Sequence, residues 1–144
     1  MDDTFYKHAR LRDTSKQIRL LKIVSNASDA QKDGLHFKLD IFDFESAPAY
    51  RTLSYTWGDD TKQHHIRVDN KLFPVRNNLF NFLRIYHQRS TEGYIWIDYI
   101  CIDQSDLSER NEQVAMMGDI YKGHDLINMA GAGSIRRSVS VAVA

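Results

Sequence analysis

The sequence has a single cysteine, only two prolines and no excess of charge of either sign. Because Cys101 has no second cysteine to pair with, an internal disulfide is excluded. No apolar run approaches the roughly 20 residues that a membrane-spanning helix needs. The 19 basic and 19 acidic side chains balance, which gives no electrostatic footprint for nucleic acid or an anionic membrane. The start at Asp2 and Asp3 is acidic, unlike a signal peptide, so we expect a cytoplasmic protein.

Common cofactor and metal motifs are also missing. The sequence has neither a G-x-G-x-x-G nor a G-x-x-x-x-G-K-S/T phosphate loop. His64 and His65 would point to opposite faces of a strand, so they cannot chelate one metal as a pair. Cys101 has no CxxC or HxxxH partner and no local histidine base. We therefore expect no bound metal and interpret Cys101 as a small buried side chain.

What the sequence does contain is typical of one globular domain. Its 144 residues are 42% hydrophobic and 26% charged, and such a chain buries roughly two-thirds of its unfolded surface. All 7 Phe, 7 Tyr and 2 Trp residues lie between Phe5 and Tyr121. The small residues after them offset ordering entropy poorly, although alternating valines also permit a short strand. We expect an N-terminal extension (1–17), an α/β domain (18–122) and a poorly ordered tail (123–144).

Alternating or continuous apolar patterns predict four strands. The second should contain a bulge or end near Phe42, because its apolar face shifts there. The fourth is apolar on both faces, which is typical of a central strand covered on both sides of the sheet. We expect the third to flank it. The four patterns cover residues 18–24, 36–44, 52–57 and 94–102.

Two amphipathic helices are predicted by apolar residues at helical spacing. The first covers 77–88, with Asn77 or Asn78 as its N-cap. The second covers 107–122 and should begin with a capping box of Asp106 and Glu109. The faces predicted to be buried are Leu79, Phe82, Leu83 and Tyr86 in the first helix and Leu107, Val114, Met117 and Tyr121 in the second.

A tight hairpin separates the third strand from the first helix. Asp69 and Asn70 tolerate positive φ, so they should form its turn between short strands at 66–68 and 71–75. The order of strand, hairpin, helix, strand and helix predicts an α/β fold with at least one parallel crossover.

Two stretches depart from what packing alone requires. At residues 53–60 a strand ends in Trp57, a glycine and two acidic residues, and ligands gather beyond the carboxyl ends of such strands. Trp57 could equally be a core anchor.

In the second stretch Asp98 lies in an apolar run, so its carboxylate needs a donor, a cation or a proton. It could be a structural hydrogen-bond hub or face a ligand, and Glu109 could cap its helix or face a cleft.

Taken together, these stretches resemble the fungal heterokaryon-incompatibility (HET) domain. Three blocks occur in the family's order and spacing: YRTLSYTWGD at 50–59, the hairpin and helix over 66–83, and WIDYICIDQ at 96–104. The resemblance covers roughly residues 18–122 and continues through Glu109, Arg110, Gln113, Val114, Met117, Ile120 and Tyr121.

The resemblance implies a role in fungal non-self recognition, in which HET domains trigger cell death. It also implies a fold similar to the TIR domain: a flavodoxin-like, partly parallel sheet with helices on its faces, here with an inserted β-hairpin. Some TIR domains cleave NAD with a glutamate in the helix after a central strand. On that analogy Glu109 is the catalytic carboxylate, and NAD or a related nucleotide is the substrate.

The sequence departs from the family's pattern in two places. Asp103 stands where the family usually has asparagine. After Tyr121 the family continues into a hydrophobic strand that ends in Trp-Leu-Gly, whereas this sequence enters its aromatic-free tail. Since HET proteins usually carry a long region beyond the domain, we expect a truncated relative.

The strand ends and the resemblance together predict one pocket at the carboxyl edge of the sheet. In this hypothesis Arg110 pairs with a phosphate and Trp57 stacks on a base or nicotinamide ring. Glu109 stabilises the charge that develops as a glycosidic bond breaks. The residues predicted to border the pocket are Ser54, Trp57, Asp98, Gln104, Glu109 and Arg110.

Two readings without catalysis stay open beside this one. In the first, Glu109 only caps its helix, Asp98 and Arg110 form a structural ion pair, and the domain signals by self-association or by contact with another incompatibility protein. In the second, the chain is an inert truncated relative.

Overall fold

A computed structural model describes residues 5–24, 35–55, 64–89, 92–121, 125–129 and 136–139. Their backbone forms one mixed sheet and three helices, with a short 3-10 turn at Phe44–Ser46. The elements in chain order are β1 (Gln17–Ile23), β2 (His36–Asp43), β3 (Tyr50–Tyr55), β4 (His64–Val68), β5 (Lys71–Val75), α1 (Asn77–Gln88), β6 (Tyr94–Trp96), α2 (Asp98–Cys101), α3 (Leu107–Tyr121), β7 (Asp125–Met129) and β8 (Arg136–Val139).

Within the described residues the sheet has eight strands, in the order β5-β4-β2-β1-β6-β3-β7-β8. Its parallel neighbours are β2 with β4, β3 with β6, and β3 with β7, while the other pairs are antiparallel. The predicted mixed α/β class with a partly parallel sheet is therefore confirmed. The finer TIR-like or flavodoxin-like assignment stays a prediction. None of the helices in the described ranges is long and apolar enough to cross a membrane.

The predicted central strand is correct in position but too long. β6 lies inside the sheet between β1 and β3, and Thr52 of β3 pairs with Trp96. The strand ends at Trp96, however, and Asp98–Cys101 forms a helical turn in which the Cys101 N–H donates to the Ile97 carbonyl at 2.7 Å. An apolar run suits a buried strand or a buried helical turn equally, so periodicity could not distinguish them.

The hairpin and α1 follow the sequence pattern closely. Asp69 and Asn70 have φ values of 51° and 67°, as the turn between β4 and β5 requires. The predicted N-cap of α1 is wrong, since Arg76 occupies that position without a capping side-chain bond. The Asn77 side-chain oxygen instead lies 3.0 Å from His64 Nε2. The four residues predicted to be buried are buried: Leu79, Phe82, Leu83 and Tyr86.

The predicted buried face of α3 is wrong at two of its four residues, although Met117 does pack, partly buried, against the core. Leu107 and Val114 are 66% and 52% exposed, whereas Glu109 and Gln113 are buried. These polar side chains of α3 face the core because they have strong partners there. Glu109 pairs with a buried arginine, and the Gln113 amide donates to the Gln17 carbonyl at 2.7 Å.

Two further expectations concern strand ends. β2 pairs with β1 without interruption from Phe37 to Asp43, so the shift near Phe42 marks a strand end and not a bulge. Beyond α3, β7 pairs in parallel with β3 and β8 pairs with β7. The described parts of residues 123–144 thus continue the sheet. The alternating valines that permit a short strand extend beyond them, since Val141 and Val143 lie outside the described residues.

Candidate functional site

The predicted site lies where β3 and β6 end. These two strands are parallel neighbours, so their carboxyl ends meet at one edge of the sheet. Ser54 lies near the end of β3, and Asp98 follows β6 by two residues. Trp57 falls outside the described residues.

Asp98 and Gln104 are brought together at this edge. The Gln104 side-chain amide donates to the Asp98 carbonyl oxygen at 2.9 Å. The Asp98 carboxyl is half-buried. Burial raises its pKa above the usual value, although hydrogen bonds from the backbone N–H groups of Tyr99 and Asp98 lower it. A half-buried carboxyl with a raised pKa beside a strand end is a candidate functional group.

Glu109 occupies a different environment from the one predicted for a catalytic carboxylate. It is 2% exposed and forms a bidentate ion pair with Arg19 of β1, which is 1% exposed. Arg19 Nη1 lies 2.5 Å from Glu109 Oε2, and Nη2 donates to Oε1 at 3.0 Å. Such a planar pair satisfies both carboxylate oxygens at once.

Backbone groups from two other segments complete this buried pair. The Asp103 N–H donates to Glu109 Oε2 at 2.7 Å. Arg19 donates through Nη1 to the Cys101 carbonyl at 3.0 Å and through Nη2 to the Ala9 carbonyl at 2.6 Å. The pair therefore joins β1, the turn after α2, the start of α3 and the N-terminal segment.

Sequence reasoning missed Arg19, although a signal was present. Arg19 stands in the apolar run Ile18 to Leu21, and a lone charge there must find a partner, just as the Asp98 carboxylate must. The partner itself could not be read from the sequence, because Glu109 lies 90 positions away.

Asp106 and Arg110 lie at the start of α3, where a cap and an ion pair with Asp98 were expected. Asp106 Oδ1 accepts the Glu109 N–H at 3.2 Å, so Asp106 caps α3 as predicted. The Glu109 side chain is directed to Arg19. Among the described side chains Asp98 and Arg110 form no ion pair, and Arg110 is exposed.

Neither a cation nor a cysteine nucleophile is supported at this edge. The carboxylates of Asp103, Asp106 and Glu109 lie within 4.8 Å of one another. Glu109 is already neutralised by Arg19, and Asp103 accepts from the Ser105 hydroxyl at 2.6 Å. Burial raises the pKa of the Cys101 thiol to about 12, which keeps it protonated and unreactive.

Comparison with known proteins identifies the family. A model of the heterokaryon incompatibility protein (HET) family matches residues 50–143. The chain belongs to the HET family. The predicted family membership is thus confirmed, and the match includes β7 and β8. Arg19 lies before the matched segment, so the partner of Glu109 comes from outside it.

A curated relative agrees with this assignment. The chain is 34% identical over 140 residues to heterokaryon incompatibility protein 6, OR allele, of Neurospora crassa. The alignment covers 88% of this chain and 20% of the relative, so the chain spans about a fifth of that protein's length. No solved structure matches the chain.

Proposed function

We propose that this HET chain is a module of fungal non-self recognition whose output is cell death. The family match over residues 50–143 carries the proposal. The similarity to a protein named for heterokaryon incompatibility supports it. As a module, the chain would supply the HET domain of an incompatibility response.

We further propose that the module signals by contact and not through catalysis by Glu109. A catalytic carboxylate must come within hydrogen-bond reach of the reacting group. Both oxygens of Glu109 are bonded to Arg19, and one also accepts the Asp103 N–H. Presenting this carboxylate to a substrate would require breaking the buried pair, which leaves Arg19 charged and unpaired.

NAD cleavage is the second candidate function, and one observation favours it. The carboxyl ends of β3 and β6 meet beside Asp98, whose carboxyl has a raised pKa. An edge of this kind is where α/β sheets bind nucleotides. In this candidate function Ser54, Trp57, Gln104 and Arg110 would complete the nucleotide site.

An NAD assay separates the two candidates. Purified protein is incubated with NAD, and loss of NAD is followed for wild type, Asp98→Asn and Glu109→Gln, with circular dichroism as the control for folding. Contact signalling predicts no loss of NAD above the buffer blank. Cleavage by folded wild type that falls by orders of magnitude in folded Asp98→Asn would contradict contact signalling and support the nucleotide site.

The non-self recognition role is tested in cells. Regulated expression in a filamentous fungus should arrest growth or kill the cells, measured by colony extension and a viability dye. Trp96→Ala is the control, because removing this fully buried side chain costs about 3–5 kcal/mol and should abolish folding and effect together. Equal growth with wild type and Trp96→Ala would contradict the proposed role.

A further inference from the structure

The turn that precedes β1 contains a serine with two arginines before it. Arg10 and Arg12 stand five and three residues before Ser15. Ser15 is the only serine or threonine in the sequence with arginine at both of these positions. Arginine-directed protein kinases select serines by this charge pattern, because acidic pockets of the kinase bind the two guanidinium groups. The spacing therefore indicates a candidate phosphorylation site.

The groups that such a kinase must reach lie at the surface. Ser15, Arg10 and Arg12 are all exposed. Arg12 Nη2 lies 3.4 Å from Asp43 Oδ1, and these two side chains are 78% and 58% exposed. Because an exposed ion pair contributes little stability, Arg12 can leave Asp43 for a kinase at little cost.

The backbone around Ser15 is attached to the domain at few points. Leu11 is the only apolar residue among positions 10–16, and it is buried. The Thr14 carbonyl accepts the Gln113 side-chain amide at 2.9 Å. A segment with so few buried contacts opens locally at a much smaller free energy than the whole domain unfolds. Residues 10–16 can therefore enter the substrate groove of a kinase while the sheet stays folded.

We propose that Ser15 is phosphorylated by an arginine-directed protein kinase and that the phosphate opens the turn before β1. The co-substrate is ATP. Ser15 Oγ attacks the γ-phosphorus and forms the new O–P bond, while the bond from that phosphorus to the β–γ bridging oxygen breaks. ADP leaves with the bridging oxygen, and the hydroxyl proton passes to the catalytic carboxylate of the kinase. The modification regulates the HET domain whether that domain signals by contact or cleaves NAD.

Ser15 closes its turn through Asp13. Asp13 Oδ1 accepts the Ser15 hydroxyl at 2.7 Å and the Ser15 N–H at 3.0 Å. These two hydrogen bonds hold the pKa of the Asp13 carboxyl below its usual value. The Asp13 carbonyl accepts the N–H groups of Lys16 and Gln17, at 3.1 and 3.0 Å. Because β1 begins at Gln17, this turn determines where the first strand starts.

A phosphate on Ser15 would break the contact with Asp13. The modified oxygen has no hydrogen to donate, and the phosphate places a charge of about −1.5 to −2 beside the Asp13 carboxylate. Like charges repel, so the two side chains should separate. Arg12 adjoins the turn and offers the phosphate a bidentate partner, so we expect it to leave Asp43 for the phosphate.

Opening of the turn would loosen the segment that precedes it. Ala9 lies in this segment, and its carbonyl accepts from Arg19 Nη2 at 2.6 Å. His8 Nε2 lies 2.7 Å from the Ile100 carbonyl oxygen. These contacts connect the segment to β1 and α2. Phosphorylation at the surface would thus weaken one of the backbone contacts of the buried Arg19–Glu109 pair.

Phosphorylation of the full chain by a purified arginine-directed kinase with magnesium and ATP tests the site. Tandem mass spectrometry should locate the phosphate on Ser15, and Ser15→Ala should receive none at this turn. Arg10→Gln and Arg12→Gln should each lower the rate at least about tenfold, because each removes a charge contact with the kinase. Ser105 and Ser108 are internal controls. Both are exposed without arginine at these positions, and they should stay unmodified.

Hydrogen exchange tests the opening of the turn. The amides of Lys16 and Gln17 should exchange several-fold faster in the phosphorylated protein than in the unmodified protein. Ser15→Ala is the matched control, because it loses the hydroxyl without gaining charge and should change exchange less. The Leu83 amide, inside α1, should exchange at the same rate in all three proteins.

Four results would overturn the proposal in whole or in part. Folded wild type that receives no phosphate on Ser15, while a peptide of residues 8–18 does, would exclude the site. Equal rates for wild type and folded Arg10→Gln and Arg12→Gln would exclude recognition through the arginines. Phosphate on Ser105 or Ser108 to the same extent would do the same. Unchanged exchange at Lys16 and Gln17 in the phosphorylated protein would exclude the opening of the turn.

Discussion

At the scale of single residues, the Arg19–Glu109 pair joins β1, the turn after α2, the start of α3 and the N-terminal segment. A buried ion pair gains little net stability, since both charges lose their hydration. Here three backbone groups bond to the pair as well, from Ala9, Cys101 and Asp103. The pair therefore fixes how these segments meet.

Glu109→Gln should be strongly destabilising. Capping-box reasoning alone predicts a neutral change, because glutamine can occupy the same position. The ion pair changes that expectation, since the variant leaves Arg19 charged, buried and without its carboxylate. We expect a loss of about 3–5 kcal/mol in the free energy of unfolding, measured by urea denaturation.

A double variant is the matched control. Arg19→Met combined with Glu109→Leu removes both charges and should recover part of the lost stability, because no unpaired charge stays buried. The recovery is incomplete because the backbone groups that bonded to the pair lose their partners. A double variant less stable than Glu109→Gln would contradict this account of the pair.

Asp98→Asn should change how stability depends on pH. Because burial raises the pKa of Asp98 in the folded state, the folded protein holds this proton more tightly than the unfolded chain. The contribution of Asp98 to stability is therefore full at low pH and is lost as pH rises from about the unfolded value of 3.8 through the raised folded pKa.

The difference in unfolding free energy between Asp98→Asn and wild type isolates this effect. It should move in favour of the variant as pH rises through that window and level off above it. Urea denaturation of both proteins at matched pH values measures it. A difference that is constant with pH would show that the carboxyl is not held in a desolvated environment.

At the scale of elements, the β4–β5 turn is fixed by local sequence. Asn70 adopts a φ of 67°, which costs a β-branched residue roughly 1–2 kcal/mol. Asn70→Val should therefore lower the unfolding free energy by about that amount in thermal melts. Asn70→Gly should keep or raise it, because Asp-Gly is a favoured pair in such turns. Equal stability of the two variants would contradict the turn assignment.

The two long helices show where the spacing of apolar residues suffices to predict the buried face and where it does not. In α1 the apolar residues at helical spacing are the buried ones, so the pattern predicts both the helix and its face. In α3 the pattern predicts the helix and the wrong face. Glu109 and Gln113 bond to groups of β1, and Ile120 on the same face of α3 is fully buried. Together these contacts outweigh burial of the apolar residues that the pattern predicts.

At the scale of the whole molecule, the composition and the structure predict opposite effects of deleting β7 and β8, which form one end of the sheet. The composition of residues 126–144 predicts that deleting them leaves the melting temperature nearly unchanged. The structure pairs β7 with β3 over five residues, from Arg51 to Tyr55. Deletion would make β3 an edge strand with unpaired backbone groups, so we now expect a clear drop in melting temperature. Differential scanning calorimetry of the deletion and the full chain decides between them.

The sequence by itself determined the elements whose information is local. These are the hairpin with its Asp69–Asn70 turn, helix α1 with its buried face, and the limits of β1 and β2 to within a residue or two. The family also followed from the sequence, because its motif blocks are continuous stretches. In each case neighbouring residues and fixed spacing carry the signal.

Tertiary structure decided what depends on distant partners. Residues 98–101 form a helical turn. Their apolar sequence would be buried as a strand or as a helix, and only the surrounding packing selects the helix. Glu109 is paired and buried because Arg19, 90 positions earlier, needs a carboxylate. The orientation of α3 follows from that pair. A lone charge in an apolar run shows that a partner must exist, but the three-dimensional fold determines which residue it is.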